Sequence, residues 1–130
     1  MIRLNFSDGT LTYANAGHPS GYLLNQSGEV KSTLESNGLP LGIEFPTPLP
    51  ARAGIPFEKG DTVFLGTDGI FEAMSPQGDQ FGIPRTLECI RTNRDHGAKE
   101  IVSCLYRQVR AFTTRATLRD DFTAVVGRFI

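Results

Sequence analysis

Short stretches of alternating apolar and polar residues fill the first third of the chain. Ile2, Leu4 and Phe6 alternate with polar neighbours until Ser7-Asp8-Gly9, a turn containing a residue able to take positive φ. Alternation resumes from Thr10 to Asn15 through Leu11 and Tyr13, and Gly17-His18-Pro19 interrupts it. A third strand starts at Gly21 to Asn25, and Gln26-Ser27-Gly28 turns into a fourth over Glu29 to Leu34. Short strands with closely spaced turns predict a β-meander. Residues 35–60 hold Pro40, Pro46, Pro48, Pro50 and Pro56. They read as irregular connection with one edge strand near Pro56-Phe57, because proline cannot donate to a ladder.

The pattern changes after Lys59-Gly60-Asp61. Thr62 to Gly66 is a continuous, buried-looking strand that ends at Thr67-Asp68-Gly69, and Ile70 to Met74 predicts a helical turn. Helices are expected over Pro84–Thr92 and Ala98–Thr113. In the second, Ile101, Val102, Leu105, Val109 and Phe112 recur at helical spacing while Lys99, Arg107, Gln108 and Arg110 fall on other faces. Phe122 to Phe129 closes the chain as a β-branched strand. Strands, then helices, then a last strand indicate an α+β layer fold.

Composition narrows the function classes. At 130 residues there is room for one domain at most, and no internal repeat is visible. Thirteen Lys and Arg against fourteen Asp and Glu give a net charge of −1, which offers no footprint for nucleic acid or an anionic membrane. No apolar run approaches the roughly 20 residues of a membrane span, and the polar start is unlike a signal peptide. The chain reads as cytoplasmic. Its two cysteines, Cys89 and Cys104, lie in the predicted helices among apolar residues and read as buried, unreactive thiols.

Chemistry is suggested by acids at strand ends. Asp68 ends the central strand and precedes Gly69, which lets backbone or ligand approach closely; Asp120 and Asp121 precede the last strand. If those two strands are antiparallel neighbours, the carboxylates converge at one sheet edge. Clustered aspartates repel unless a cation neutralises them, and hard oxygen donors favour Mg²⁺ or Mn²⁺. The same residues also serve ordinary solvated turns.

Four ordered motifs add to this reading. They are Leu11-Thr12-Tyr13-Ala14-Asn15-Ala16-Gly17-His18-Pro19, Pro40-Leu41-Gly42, Gly60-Asp61 with Phe64-Leu65-Gly66-Thr67-Asp68-Gly69, and Arg119-Asp120-Asp121-Phe122-Thr123, with Phe81-Gly82 between the last two. Through them the chain resembles the bacterial serine phosphatases typified by stage II sporulation protein E, a branch of the metal-dependent protein phosphatase 2C superfamily. The resemblance implies an αββα sandwich and a metal centre at one end of it. It implies that Asp68 and Asp120 ligate one of two Mn²⁺ or Mg²⁺ ions bridged by a nucleophilic water. Asp121 is the weaker neighbouring ligand, and Gly69 brings its backbone close to the metals. The implied activity is hydrolysis of phosphoserine or phosphothreonine on a regulatory protein of the anti-anti-sigma type, downstream of a sensory or receiver domain.

One departure stands against a complete site. The family's opening Gly-Asp-aromatic-X-Asp motif, which bridges both metals, does not occur here, and Asp8 belongs to a hairpin turn. The expectation is therefore residues 1–130 as a single partial domain, incomplete at its N-terminus. The alternative is a catalytically silent segment, an interaction module or homodimer. Other residues carry lesser expectations. His18 is a candidate general acid or a structural turn histidine. Asn15 is expected to fix that turn, Asp61 to belong to the turn entering the central strand, and Glu72 and His96 to be solvated. Arg115 and Arg119 either meet phosphate or decorate a loop.

Overall fold

The computed structural model describes residues 1–43, 50–114 and 120–130. β1 (Ile2–Asn5) and β2 (Thr10–Tyr13) form an antiparallel hairpin, with Leu4 opposite Leu11. Gly9 supplies φ +64° at its turn. β5 (Arg52–Pro56) completes a sheet ordered β1-β2-β5. A second antiparallel sheet is built from β3 (Gly21–Leu24), β4 (Val30–Leu34), β6 (Thr62–Gly66) and β7 (Ala124–Arg128), in the order β4-β3-β6-β7.

The expected four-strand meander is therefore corrected to two hairpins in different sheets. The crossover lies at residues 14–20, where Gly17 takes φ +83° and Asn15 anchors the chain. Leu11 and Tyr13 of the first hairpin pack on Leu23 and Leu34 of the second. Burying both apolar faces against each other removes more surface from water than laying the hairpins side by side.

The central strands β3 and β6 are apolar on both faces, which explains why β6 reads as a continuous run rather than an alternation. Leu23 and Val63 point into the layer between the sheets, with Leu11, Ile55 and Phe129. Tyr22, Leu24 and Phe64 point the other way, into a cluster formed with the helices. Those helices are α1 (Asp68–Phe71), α2 (Gly82–Thr92) and α3 (Ala98–Thr113). The buried stripe of α3 is Ile101, Leu105 and Val109, at the predicted spacing. α2 begins two residues before Pro84, which then sits in the first turn, where its missing N–H costs no bond.

The result is an α+β fold of two antiparallel sheets with helices covering the outer face of the four-stranded one. Among the described residues no helix covers the outer face of the three-stranded sheet, so the second helical layer of an αββα sandwich is not formed by them. The expected edge strand is β5, which starts four residues before Pro56. The terminal strand is shorter than expected at both ends. Arg115 and Arg119, and Pro46 and Pro48, lie outside the described residues.

Candidate metal site

β6 and β7 pair antiparallel from Thr62 opposite Arg128 to Gly66 opposite Ala124. The end of β6 and the start of β7 thus lie together, as the position of the aspartates suggested. Thr67 ties them further. Its backbone N–H donates to the Thr123 carbonyl at 3.1 Å. Its hydroxyl donates to the Asp121 carbonyl at 3.2 Å and accepts the Thr123 N–H at 3.2 Å. Sequence reading missed this clamp, because one threonine after a strand carries no distinctive signal. A hydroxyl directly after the central strand is the only hint.

Asp68 opens α1, and its Oδ1 accepts the Gly69 N–H at 3.0 Å. Asp120 Oδ1 accepts the Asp121 N–H at 2.8 Å. All three carboxylates are exposed. Each of these two bonds uses one oxygen on a neighbouring amide, which leaves the other oxygen of Asp68 and of Asp120 with no protein donor among the described residues. Gly69 is buried, and a β-carbon there would collide with the carbonyl oxygen of Asp121. Glycine is what permits the two segments to approach so closely.

The donor set is correct in kind for a hard cation, which takes carboxylate oxygen and retains waters. It is short in number. Among the described residues no three His, Cys, Asp or Glu side chains gather into a group able to hold a metal ion. The structure therefore brings Asp68, Asp120 and Asp121 to one sheet end without assembling a closed ligand cage.

His18 lies at the same end. Tyr22 pairs with Phe64, so the chain preceding β3 runs beside the chain following β6. The imidazole is exposed, and its Nδ1 sits 2.8 Å from the Pro19 carbonyl. A carbonyl only accepts, so in this contact Nδ1 is the donor. Asn15 is buried and fixes the turn. Its Nδ2 donates to the carbonyls of His18 and Leu34 at 3.0 and 3.3 Å, and its Oδ1 accepts the His18 N–H at 2.9 Å. Asp61 sits at the opposite end of β6, 2% exposed, and closes the turn entering that strand by accepting the Glu58 N–H at 3.0 Å and Lys31 Nζ at 2.9 Å. Glu72 and His96 are solvated. Cys89 is buried, whereas Cys104 is only half-buried.

A family model described as Stage II sporulation protein E (SpoIIE) matches residues 1–130. Protein IcfG of Synechocystis sp. is 29% identical over 123 residues, covering 94% of this chain and 19% of that protein. Phosphoserine phosphatase RsbU of Bacillus subtilis is 31% identical over 124 residues, covering 95% of this chain and 36% of RsbU. The SiaA-PP2C domain of Pseudomonas aeruginosa superposes with a TM-score of 0.79 at 22% identity, covering 99% of this chain and 50% of that one. The chain thus spans well under half the length of these two curated relatives and half of that solved domain. Since the match to the family model runs the whole length of a sequence carrying the four ordered motifs, the chain belongs to the Stage II sporulation protein E family.

Proposed function

We propose that this chain supplies part of the active site of a metal-dependent protein serine/threonine phosphatase that acts on a phosphorylated regulatory protein in bacterial signalling. The observation that carries the proposal is the register of β6 on β7. It sets Asp68 and Asp120 at one sheet end, with Gly69 seated against the Asp121 carbonyl. The names of RsbU, a phosphoserine phosphatase, and of the SiaA-PP2C domain support the reaction class.

Asp68 and Asp120 are the residues that would hold Mn²⁺ or Mg²⁺, with Asp121 as a further oxygen donor. When bound, such ions supply an activated water and a polarised phosphoryl oxygen. The chain's own residues do the positioning. Thr67 holds the two acidic segments together, and the bare Cα of Gly69 keeps their backbones in contact. Asn15 presents His18, whose imidazole in its protonated form can give a proton to a leaving seryl oxygen. In this reading the partner is of the anti-anti-sigma type, the enzyme sits downstream of a sensory or receiver domain, and the site faces the cytoplasm. No helix among the described residues is long and apolar enough to cross a membrane.

Phosphate release from a phosphoserine protein is measured with Mn²⁺, for the 130-residue chain and for a longer form that carries a Gly-Asp-aromatic-X-Asp segment ahead of it. The expected result is activity in the longer form that Asp68→Asn and Asp120→Asn abolish without changing the circular dichroism spectrum. Undiminished activity in either variant overturns the metal assignment. A longer form that binds the phosphoprotein but releases no phosphate overturns the enzyme reading in favour of an interaction module.

A further inference from the structure

The helix layer contains a second set of reactive groups. Phe81, just before α2, meets Phe112 near the end of α3 edge-to-face, with ring centroids 5.4 Å apart, so the two helices run antiparallel. Cys89 lies eight residues along from Phe81, and Cys104 eight residues back from Phe112. The two cysteines therefore lie on neighbouring helices, away from the ends joined by this aromatic contact. Cys89 belongs to the buried cluster beneath the helices, and Cys104 packs against that cluster. Both cysteines therefore border one buried cluster, on two helices that pack together.

The two thiols have unlike surroundings. Cys89 is 2% exposed. Burial first, and negative charge on Cys104 second, push its thiol up to about 11, so it remains protonated at neutral pH. Cys104 is half-buried, and Arg107 Nη2 donates to its Sγ at 3.0 Å. A permanent positive charge therefore stands against a sulfur that solvent can reach, the kind of surroundings that reactive cysteines occupy.

We propose that Cys104 is a site of oxidation by a peroxide and that Cys89 resolves it, closing an intrachain disulfide between α2 and α3. In the first step the Cys104 sulfur attacks one peroxide oxygen. The S–O bond forms, the O–O bond breaks, and the departing oxygen takes a proton, leaving a sulfenic acid and water or an alcohol. In the second step the Cys89 sulfur attacks the Cys104 sulfur. The S–S bond forms, the S–O bond breaks, and hydroxide leaves with the Cys89 proton as water. Two thiols lose two electrons and the peroxide gains them.

The test exposes the folded chain to hydrogen peroxide, quenches with an alkylating agent under denaturing conditions, and weighs the products. The expected product is a monomer lighter by about 2 Da in which both cysteines escape alkylation and dithiothreitol restores them. Cys89→Ser is expected to stop at a dimedone-reactive sulfenic acid on Cys104. Cys104→Ser is expected to leave Cys89 unmodified, and Arg107→Gln to slow the reaction about tenfold. The proposal is overturned by thiols that stay reduced, by disulfide-linked dimers in place of the monomer, or by oxidation of Cys89 in Cys104→Ser at the wild-type rate.

Discussion

The Cα of Gly69 lies against the main-chain carbonyl of Asp121, with no room for a side chain between them. This contact joins residues 52 positions apart in sequence and sets how closely the acidic segments approach. Gly69→Ala is expected to push them apart and lower stability by about 1–3 kcal/mol, read as a drop in the urea midpoint. Asp121→Ala keeps the carbonyl and is expected to change stability by no more than about 0.5 kcal/mol. Equal midpoints for Gly69→Ala and the parent chain refute the close approach.

Asp68 and Asp61 stand at the two ends of β6 in opposite circumstances. Asp61 is 2% exposed and accepts Lys31 Nζ and the Glu58 N–H, whereas Asp68 is exposed and accepts the adjacent Gly69 N–H. Asp61→Ala strands a half-buried ammonium and an amide, and is expected to cost about 2–4 kcal/mol. Asp68→Ala is expected to leave the urea midpoint nearly unchanged while removing Mn²⁺ binding measured by calorimetry on the longer form. A large stability loss at Asp68 identifies it as a structural residue.

Asn15 occupies its turn with three hydrogen bonds, to His18 twice and to Leu34. Asn15→Ala leaves two carbonyls and one amide without their partner near the crossover between sheets. The expected cost is about 2–3 kcal/mol of stability. The measurement is the urea midpoint, together with the NMR resonance of the His18 backbone amide, which loses its acceptor Asn15 Oδ1 and is expected to move. An unchanged midpoint in Asn15→Ala refutes the structural role of these bonds.

Strand β6 and helix α3 are visible in the sequence because burial writes its period directly into them. A continuous apolar run marks a strand covered on both faces, and Ile101, Leu105 and Val109 mark one helix face. The split into two sheets is not visible, since alternation states which face of a strand is buried but not which neighbour it pairs with. That the end of β6 lies beside the start of β7 was legible, because it needs only the pairing of those two strands. Thr67 was not, because its importance arises from a main chain 54 residues away that meets it only in the folded state. Cys104 shows the same limit. Helical spacing placed it among apolar residues, but only the fold sets Arg107 against its sulfur.

Cys89 makes stability depend on pH in the alkaline range. Its thiol has a reference value of 9.0 and is raised to about 11 in the fold, first by burial and then by charge on Cys104. Below about pH 9 the folded and unfolded states both hold the proton, so the group favours neither. Between the two values the unfolded chain releases the proton while the fold retains it, and stability falls as pH rises. The loss is expected to reach roughly 2–3 kcal/mol at its largest. Tyr22, raised mainly by burial and further by Glu35, acts in the same direction and is shared by any cysteine variant. The measurement is the urea midpoint across that pH range for the parent chain and for Cys89→Ala. The variant is expected to start less stable, since it loses a buried side chain, yet to decline more gently. Parallel declines show that the Cys89 proton is not coupled to folding.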